Sequence, residues 1–489
     1  MAATDGFTRQ GLAPAPSSAN DPARSTVADR YRVPEGTTVV VGLGISGMAI
    51  CRHLTRLGTP FMVVDTRDAP PGLDDFVRDF PNVPLRLGGF AGLDLDAAEE
   101  VVVSPGVDPH QAPLAALLTR IHPATGEPRL VGEIALFRRA CRAPIAAITG
   151  ANAKSTVTTL VGAMARAAGC RVAVGGNLGT AALDLLAAVP EAELYVLELS
   201  SFQLETTPRL GAETAAFLNL SEDHLDRHGD MAGYRQAKLG IFAGAAHAVV
   251  NAEDAQTWPE HAPPALSRFG VQEPEGKDDW GVAEHQGEPW LVRGDAPLMP
   301  VAAMRLSGRH HQANALAALA MGARLGFPLA AMRSVLEDFT GLAHRSEWIA
   351  RIDGVDWIND SKGTNVGATL AAIAGIGPTL SGRLILLAGG VGKGADFAPL
   401  GEPLARYGRE AILFGQDAER LALALGGKLA VCRVAGLDDA IARAAAVARP
   451  GDAVLLSPAC ASLDQFVNYL ARGEAFRTAV ERLAAKEQT

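Results

Sequence analysis

The chain has 489 residues, a formal net charge of -10 at pH 7, and five cysteines that are widely spaced and lack a CxxC pair. Because lysine and arginine are scattered, the composition excludes nucleic acid as an expected partner, and the cysteines indicate neither a disulfide framework nor a thiolate zinc site. No apolar run reaches about 18 residues and no basic segment precedes an apolar core near the N-terminus, so we expect no membrane span, no secretion and a cytoplasmic location.

Short strands that alternate with helices predict the domain organisation. Residues 1–30 combine Ala, Pro, Ser and Asp without hydrophobic periodicity, which predicts a disordered leader. At about 150 residues per domain the chain is long enough for three cores, and we place α/β domains at 31–132, 133–340 and 341–489. Each should hold a mostly parallel sheet, so ligands should bind beyond the carboxyl ends of the strands.

The first domain opens with a glycine motif. A β-branched strand from Thr37 runs into Gly42-Leu-Gly-Ile-Ser-Gly47, which opens a helix, and Asp65 ends the next strand. Backbone amides at such a helix start can approach a phosphate, and an acid about 20 residues further on can accept a hydrogen bond from a ribose hydroxyl. The pattern indicates dinucleotide binding, and a tight turn that binds nothing is the alternative.

The central domain opens with a second phosphate-loop candidate. In TGANAKST, residues 149–156, backbone amides could cradle phosphates, Lys154 could neutralise them and a hydroxyl could bind Mg²⁺. Ala153 stands where a glycine is expected before the lysine, so a plain turn with a surface lysine competes with this interpretation. Further on, residues 255–300 are rich in Pro, Gly and charge, and they predict a small antiparallel insert.

Acids and imidazoles follow the next strands of this domain. Glu198 ends an apolar strand, where a carboxylate can hold Mg²⁺ directly or through water, although a lone glutamate there is usually an ordinary solvated residue. His224 and His228 follow another strand, and Lys238 lies on a helical stretch. From spacing alone, surface polarity or core hydrogen bonding for the histidines and an exposed cation for the lysine are the favoured explanations.

Polar strings end the strands of the last third of the chain. They supply cations, hydroxyls and amides without pairing a nucleophile with a base. Such a set suits the binding of anions better than hydrolysis, although any single string could be a capped turn. The strings are His344-Arg345, NDSKGTN (359–365), GGVGK (389–393) and SPACASLD (457–464).

Taken together, six strings resemble the Mur ligase superfamily, and in particular its D-glutamate-adding branch. They are TGANAKSTVTTL, YVLELSSFQLE, EDHLDRH, HRSEW, NDSKGTNVGAT and LLSPACASLDQF. The likeness covers residues 35–485. The Asp-Asn-Pro-Arg signature of the next ligase in the pathway is absent from the sequence, and folylpolyglutamate synthases would not be expected to carry SPACASLDQF.

The resemblance implies a fold and an activity. It implies a Rossmann-like N-terminal domain for a UDP-sugar, a central P-loop ATPase-like domain with a mostly parallel sheet for ATP, and a Rossmann-like C-terminal domain that closes over both with the amino acid. The implied reaction is ATP-dependent ligation of D-glutamate to UDP-N-acetylmuramoyl-L-alanine (UDP-MurNAc-L-Ala) through an acyl phosphate, in peptidoglycan precursor synthesis. Two Mg²⁺ ions would assist, and these small molecules would be the partners of a monomer.

The resemblance also implies site residues. The UDP end falls to Gly42, Ile45, Ser46, Asp65, Thr66, Arg67, Gly106 and Asn177. The ATP site comprises Gly150, Ala151, Asn152, Ala153, Lys154, Ser155, Thr156, Asn314, Arg345 and Asp360. The glutamate pocket comprises Thr364, Lys393, Ser462, Leu463 and Tyr469. Catalytic roles fall to Lys154, His224, Lys238 and Arg345, and metal binding falls to Ser155, Glu198, His224 and a carbamoylated Lys238.

Four residues depart from the family pattern. Ala153 replaces a glycine, which restricts φ but keeps the amide donors. His311 replaces an Asn associated with adenine, Val391 replaces an acid in the GGxGK turn, and Tyr469 stands where many members have Phe. These changes bear on loop geometry, nucleotide affinity and amino-acid selectivity. The alternatives are the same ligation with L-glutamate, a nicotinamide-dependent dehydrogenase that uses the glycine motif, and a nucleotide-binding regulator.

Overall fold

A computed structural model describes residues 33–261, 263–306 and 308–487. These residues form three sheets that follow one another along the chain, and helices flank each sheet. The leader predicted at residues 1–30 lies outside the described residues. The prediction of a three-part α/β fold is confirmed, whereas the domain boundaries stay predictions.

The first sheet and its helices occupy residues 38–140. The elements are β1 (Thr38–Val41), α1 (Ile45–Leu57), β2 (Phe61–Val64), α2 (Leu73–Asp79), β3 (Leu85–Arg86), β4 (Val101–Val103), β5 (Leu130–Gly132) and α3 (Glu133–Ala140). All strands run parallel, in the order β3-β2-β1-β4-β5. Valine-rich β1, β2 and β4 are buried on both faces because helices cover both faces of a parallel sheet.

The second sheet and its helices occupy residues 145–338. The elements are β6 (Ile145–Thr149), α4 (Lys154–Ala167), β7 (Val172–Gly176), α5 (Ala182–Ala188), β8 (Leu194–Glu198), α6 (Ser201–Leu204), β9 (Thr214–Phe217), α7 (Leu225–His228), α8 (Met231–Leu239), β10 (His247–Asn251), β11 (Ala265–Phe269), β12 (Trp280–His285), β13 (Glu288–Arg293), β14 (Ala296–Pro300), α9 (Arg309–Arg324) and α10 (Leu329–Asp338). The strand order is β14-β13-β12-β11-β10-β9-β6-β8-β7. Strands β6 to β11 are parallel, and β12 to β14 form the antiparallel insert that the sequence predicted.

The third sheet and its helices occupy residues 347–487. The elements are β15 (Glu347–Ile352), β16 (Val355–Asn359), α11 (Val366–Ile376), β17 (Leu384–Gly389), α12 (Gly401–Tyr407), β18 (Gly408–Phe414), α13 (Ala418–Leu425), β19 (Ala430–Arg433), α14 (Leu437–Val447), β20 (Ala453–Leu456) and α15 (Tyr469–Glu487). The order is β15-β16-β20-β17-β18-β19, and only β15 is antiparallel to its neighbour. A two-residue Asp353-Gly354 turn, with φ of 49° and 73°, makes this hairpin.

Helices of the first two domains share one apolar core. Phe137 on α3 packs edge-on against Tyr195 on β8, with ring centroids 5.3 Å apart. Arg52 on α1 forms a bidentate ion pair with Asp184 on α5, with N–O distances of 2.5 and 2.9 Å. The predicted boundary at 132/133 therefore lies within a packed interface, and the first two sheets hold a fixed mutual position.

Arg472 ties together two of the polar strings at the end of the third sheet. It lies on α15, is fully buried, and its guanidinium donates to the carbonyl oxygens of Ser361 at 2.9 Å and Cys460 at 3.2 Å. Because Ser361 and Cys460 are themselves fully buried, the arginine satisfies their carbonyl groups and fixes the spacing of the two loops.

The substitution Arg472→Met should lower the free energy of unfolding by about 2–4 kcal/mol, because it leaves buried carbonyls without donors. Arg482→Met, on the exposed face of the same helix, should change it by less than about 0.5 kcal/mol. Thermal melts of the two variants give the comparison. Equal melting temperatures would show that Arg472 does not hold the loops.

Ala153 adopts a left-handed backbone conformation directly before α4, with a φ of 65°. Alanine tolerates this region at a cost of about 1–2 kcal/mol, and its methyl group packs against the apolar core below the loop. The backbone of Ala153 is therefore strained, and packing of its methyl group accommodates this strain.

Replacing Ala153 with Val should cost about 2 kcal/mol, because a β-branched residue strongly resists positive φ. Ala153→Gly should change stability by less than about 1 kcal/mol, since relief of strain offsets lost packing and added chain entropy. The matched control Ala167→Val, on the exposed surface of α4, should cost only about 0.6 kcal/mol. If Ala153→Val and Ala167→Val have the same melting temperature, the left-handed conformation is not what constrains position 153.

Candidate functional site

A first cleft of about 1390 Å³ opens at the carboxyl end of the first sheet. Every residue that the sequence assigned to the UDP end lines it, and Asn177 from the central domain closes its far side. The lining residues from that set are Gly42, Ile45, Ser46, Asp65, Thr66, Arg67, Gly106 and Asn177. Their common location agrees with the prediction, while their roles as ligands stay predictions.

Close packing explains the glycine motif of the first cleft. A Cβ at Gly47 would lie 1.9 Å from the carbonyl oxygen of Gly42, and Gly42 itself has a φ of 93°. Asp65 holds the same turn, because its Oδ2 accepts a hydrogen bond from the Leu43 amide at 2.6 Å. The Arg67 guanidinium donates to both oxygens of Asp65 at 2.7 and 2.9 Å. Asp65 therefore shapes the loop and orients Arg67.

Two lysines converge on the carbonyl oxygen of Gly150 in the second phosphate loop. Lys154 Nζ donates to this oxygen at 2.8 Å and to that of Ala151 at 2.9 Å, and Lys238 Nζ donates to the Gly150 oxygen at 2.8 Å. Lys238 is only 1% exposed, so it is not the solvated cation that its spacing favoured. Burial, reinforced by Lys154, lowers the pKa of Lys238 well below its ordinary value. The geometry therefore favours a neutral amine at Lys238.

Glu198 lies at the centre of the same site. It is buried, its Oε2 accepts a hydrogen bond from Ser155 Oγ at 2.5 Å, and its Oε1 accepts one from Asn177 Nδ2 at 2.7 Å. Arg345, from the C-terminal domain, donates to Ser155 Oγ. Glu198 is thus not an ordinary solvated residue, and the hydroxyl and carboxylate sit side by side as hard oxygen donors.

The two histidines of EDHLDRH have different surroundings. His224 lies at the start of α7 with a φ of 54°, and its ring meets Phe202 edge-on at 4.9 Å. Burial lowers the pKa of His224 to about 4, so the ring is neutral at pH 7 and able to bind a metal ion. His228 instead makes a 3.0 Å hydrogen bond with the hydroxyl of Ser201.

A second cleft of about 850 Å³ lies between α9 and the C-terminal domain. Asn314, His311 and Arg345 line it with Asp360, whose carboxylate accepts hydrogen bonds from Ser346 N at 3.0 Å and from a serine hydroxyl at 2.7 Å. Burial raises the pKa of Asp360 to about 6 and lowers that of His311 to about 3. Near pH 7 this cleft therefore presents a carboxylate and a neutral imidazole.

A central cleft of about 1030 Å³ lies where the three sheets meet. Residues from all three predicted domains line it, and among the described residues the first domain contributes Pro105 alone. Predicted site residues that line it are Ala151, Asn152, Ala153, Lys154, Asn177, Glu198, His224, Lys238, Arg345, Thr364 and Lys393. Asn177 is shared with the first cleft, whereas Asn152, Ala153 and Arg345 are shared with the second. The three clefts therefore form one continuous site.

The residues predicted for the glutamate pocket are placed unevenly. Thr364 and Lys393 line the central cleft. Ser462 is buried on the neighbouring loop, and the Leu463 side chain is exposed. The Tyr469 ring instead lies against the ammonium of a lysine, Lys362, with Nζ 4.0 Å from the ring centroid. Tyr469 therefore orients a cation, and a direct contact with an amino-acid ligand stays a prediction.

Sequence reasoning missed two charged residues of the site. Lys362 lines both the second and the central cleft, and burial, with Arg345 and Lys154 next, lowers its pKa to about 8. Asp223 lines the central cleft and accepts a 2.7 Å hydrogen bond from Lys393 Nζ. Burial opposes its ionisation, but the Lys393 ammonium and the hydrogen bonds from Lys393 and Asn365 outweigh burial and hold the pKa of Asp223 below its ordinary value. Both residues lie inside strings that the sequence singled out, which was the available signal.

The described ranges contain neither a cluster of metal-binding side chains nor a helix that could span a membrane. Within 33–261, 263–306 and 308–487, His, Cys, Asp and Glu side chains form no group of three or more that could hold a metal ion by themselves. In the same ranges no helix is both long and apolar enough to cross a bilayer.

Family models match each part of the chain. Residues 36–126 match the Mur ligase MurD-like N-terminal domain, residues 148–322 match the Mur ligase middle domain, and residues 344–460 match the Mur ligase glutamate ligase domain. Among curated relatives, the UDP-N-acetylmuramoylalanine--D-glutamate ligase of Chromohalobacter salexigens is 64% identical over 446 residues, which cover 91% of this chain and 97% of the relative. The enzyme of the same name from Pseudomonas aeruginosa is 53% identical over 448 residues, with 91% and 98% covered.

Solved structures agree on the fold. UDP-N-acetylmuramate-alanine ligase MurC from Thermotoga maritima aligns with a TM-score of 0.56 at 17% identity, covering 92% of this chain and 99% of that one. MurF from Acinetobacter baumannii aligns with a TM-score of 0.55 at 20% identity, covering 72% and 79%. With family models on all three parts, relatives that match nearly end to end, and one continuous site across three sheets, this chain belongs to the Mur ligase family.

Proposed function

We propose that this protein joins the amino group of D-glutamate to the L-alanine carboxylate of UDP-MurNAc-L-Ala while ATP is converted to ADP and phosphate. The observation that carries the proposal is the central cleft, where groups from all three domains converge. A reaction that brings together a UDP-sugar, a nucleotide and an amino acid needs such a meeting point. Relatives that bear the name of this reaction match the chain over nine-tenths of its length.

The first cleft binds the UDP end of the substrate. The start of α1 presents backbone amides and the positive end of a helix dipole, and Arg67 adds a cation held in place by Asp65. Asn177 lines both this cleft and the central cleft, so the sugar and its alanine extend along this side chain toward the reaction centre. The glycine motif then serves a diphosphate and not a nicotinamide cofactor.

ATP binds in the second cleft with its phosphates over the loop that precedes α4. Asn314 lies at the base end and Asp360 at the ribose end, where an ionised carboxylate can accept hydrogen bonds from hydroxyl groups. Asn152 and Ala153 line both the second and the central cleft, so the outermost phosphate reaches the central cleft. Lys154 then exchanges the carbonyl oxygens that it contacts for phosphate oxygens.

The reaction proceeds in two displacement steps. The alanine carboxylate attacks the γ-phosphorus and displaces ADP, which gives an acyl phosphate, while Lys154 and Arg345 neutralise charge on the transferring oxygens. The glutamate ammonium loses a proton to solvent, the free amine attacks the acyl carbon, and the tetrahedral intermediate expels phosphate and loses a second proton to give the amide. Both nucleophiles in these steps, the carboxylate and the amine, belong to the substrates, so the side chains that line the central cleft contribute positioning and electrostatics.

Mur ligases use ATP with Mg²⁺, and the donors of this chain suit that ion. Bound Mg²⁺ supplies charge neutralisation at the phosphates. Ser155 with Glu198 would hold one ion, and neutral His224 with a carbamoylated Lys238 would hold a second. A carbamate replaces an ammonium, which repels the ion, by hard oxygens that bind it. The buried, neutral amine of Lys238 is the form that combines with CO₂.

The amino acid binds between Lys393 and Thr364, beside the loop that carries Ser462 and Leu463. Val391, which replaces the acid of the family turn, pairs through its backbone with Ala461 on that loop, with N–O distances of 2.8 and 2.9 Å. The turn thus keeps its geometry without the acid. D-glutamate is the proposed enantiomer, and the monomeric state and cytoplasmic location stay predictions.

Phosphate release by the purified protein tests the activity. We expect inorganic phosphate only when ATP, Mg²⁺, UDP-MurNAc-L-Ala and D-glutamate are all present, and little with L-glutamate in place of D-glutamate. A mass spectrum of the product should show one added glutamyl unit. Equal rates with L-glutamate and D-glutamate would contradict the proposed preference for D-glutamate. Phosphate release without any amino acid would contradict the ligase reaction.

Lys154→Ala should lower kcat by about 100- to 1000-fold, because one preorganised cation at the transferring phosphate is lost. Lys277→Ala, an exposed lysine on the antiparallel insert, is the matched control and should leave kcat unchanged. Unchanged melting temperatures establish that both variants fold. Full activity of Lys154→Ala would remove the phosphate loop from the mechanism.

Carbamoylation of Lys238 predicts a carbonyl resonance after incubation with ¹³C-labelled bicarbonate at pH 8. Because only the neutral amine reacts, and burial lowers the pKa of Lys238, the signal should form near neutral pH and decline as acidification protonates the amine. Lys238→Met should abolish the resonance and most of the activity, while Lys277→Met should keep both. A resonance that persists in Lys238→Met would assign the carbamate elsewhere.

A further inference from the structure

An ion pair occupies the amino-acid end of the central cleft. Lys393 Nζ lies 2.7 Å from Asp223 Oδ1, and the two side chains are 21% and 10% exposed. Asp223 Oδ2 also accepts a 3.3 Å hydrogen bond from Asn365 Nδ2. The aspartate follows β9 of the second sheet and the lysine follows β17 of the third, so the pair spans the gap where glutamate is proposed to bind.

The charged side chains that line the central cleft are mostly cationic, which disfavours an incoming ammonium group. Cationic side chains line the cleft from several directions, and among the described residues only Glu198 and Asp223 line it as carboxylates. Glu198 is engaged by Ser155 and Asn177 on the phosphate side. Asp223 accepts a 3.0 Å hydrogen bond from the backbone amide of His224 in its own domain, but its cationic partner, Lys393, belongs to the other domain. An ammonium group that enters from the amino-acid end therefore meets Asp223 as the lining carboxylate whose ion pair it can exchange.

We propose that glutamate inserts across this ion pair, with a carboxylate on Lys393 and its ammonium on Asp223, which makes Asp223 the residue that selects an amino acid over a plain dicarboxylate. The inference rests on the proposed function and deepens it. Asp223 is a positioning residue here, because it holds the nitrogen beside the acyl carbon before attack.

Exchange of partners keeps every charge neutralised. Uncovering a half-buried carboxylate or ammonium costs free energy, and removal of one partner from such a pair is costly for the same reason. A zwitterion with an extra carboxylate replaces one ion pair by two, so neither Asp223 nor Lys393 is left bare. A dicarboxylate without an amine covers Lys393 but strands Asp223, and the cleft rejects it by an unpaired charge.

Two ligands that differ only in the amine separate this role from a structural one. D-glutamate is the substrate and glutarate, its analogue without the amino group, is the competitive inhibitor. For Asp223→Asn we expect the KM for D-glutamate to rise about 30-fold or more, while the Ki for glutarate stays within about threefold or falls. Lys393→Met should weaken both ligands together, because both bring a carboxylate.

Asp226→Asn, an exposed acid three residues further on, is the matched control and should behave as wild type. ADP affinity and melting temperature establish that Asp223→Asn is folded with an intact nucleotide site. Equal losses for D-glutamate and glutarate, or no loss for either, would overturn the proposal while leaving the ligase reaction standing. Failure of the wild-type protein to turn over D-glutamate would overturn the proposed function, and this inference with it.

Discussion

The site depends on one backbone oxygen, the carbonyl of Gly150, onto which Lys154 and Lys238 both converge at 2.8 Å. Two ammonium groups that share one acceptor oxygen repel each other, and the buried surroundings provide little solvent to screen them. The arrangement is favourable only when one amine is neutral or when anions arrive between them. In the proposed function, triphosphate oxygens would supply such anions on one side, and a carbamate on Lys238 would remove the repulsion on the other.

Contacts between the central and C-terminal domains are also made by polar groups that a bound substrate would engage. Arg345 reaches Ser155, and Asn365 exchanges amide hydrogen bonds with Asn152 at 3.3 and 3.4 Å. These are single polar contacts, each made by a group that a substrate would otherwise engage. The shared apolar core between the first two domains has no counterpart among them. We therefore expect domain association at the C-terminal side to be sensitive to ligands, whereas the shared core keeps the first two domains in a fixed mutual position.

Sequence reasoning recovered the features that local chemistry determines. Strand ends carry the polar strings because parallel sheets place their carboxyl ends at one edge, so residues as distant as Gly42 and Gly106, which follow β1 and β4, line one cleft. It misjudged the exposure of Glu198 and Lys238, because spacing along a helix or strand does not report which neighbours cover a side chain. It missed the pairing of Asp223 with Lys393, since that contact joins residues 170 positions apart through two different sheets. The Asp353-Gly354 dipeptide favours a two-residue hairpin turn, and this hairpin was not among the predicted elements.

The two phosphate loops show why one tolerates alanine and the other does not. At Gly47 the obstacle is a backbone atom, the carbonyl oxygen of Gly42, which cannot move without breaking the turn. At Ala153 the obstacle is only the torsional cost of a positive φ, and its methyl group finds apolar neighbours under the loop. Alanine in place of the family's glycine at position 153 is therefore compatible with phosphate binding. It does not indicate a loop that has lost this capacity.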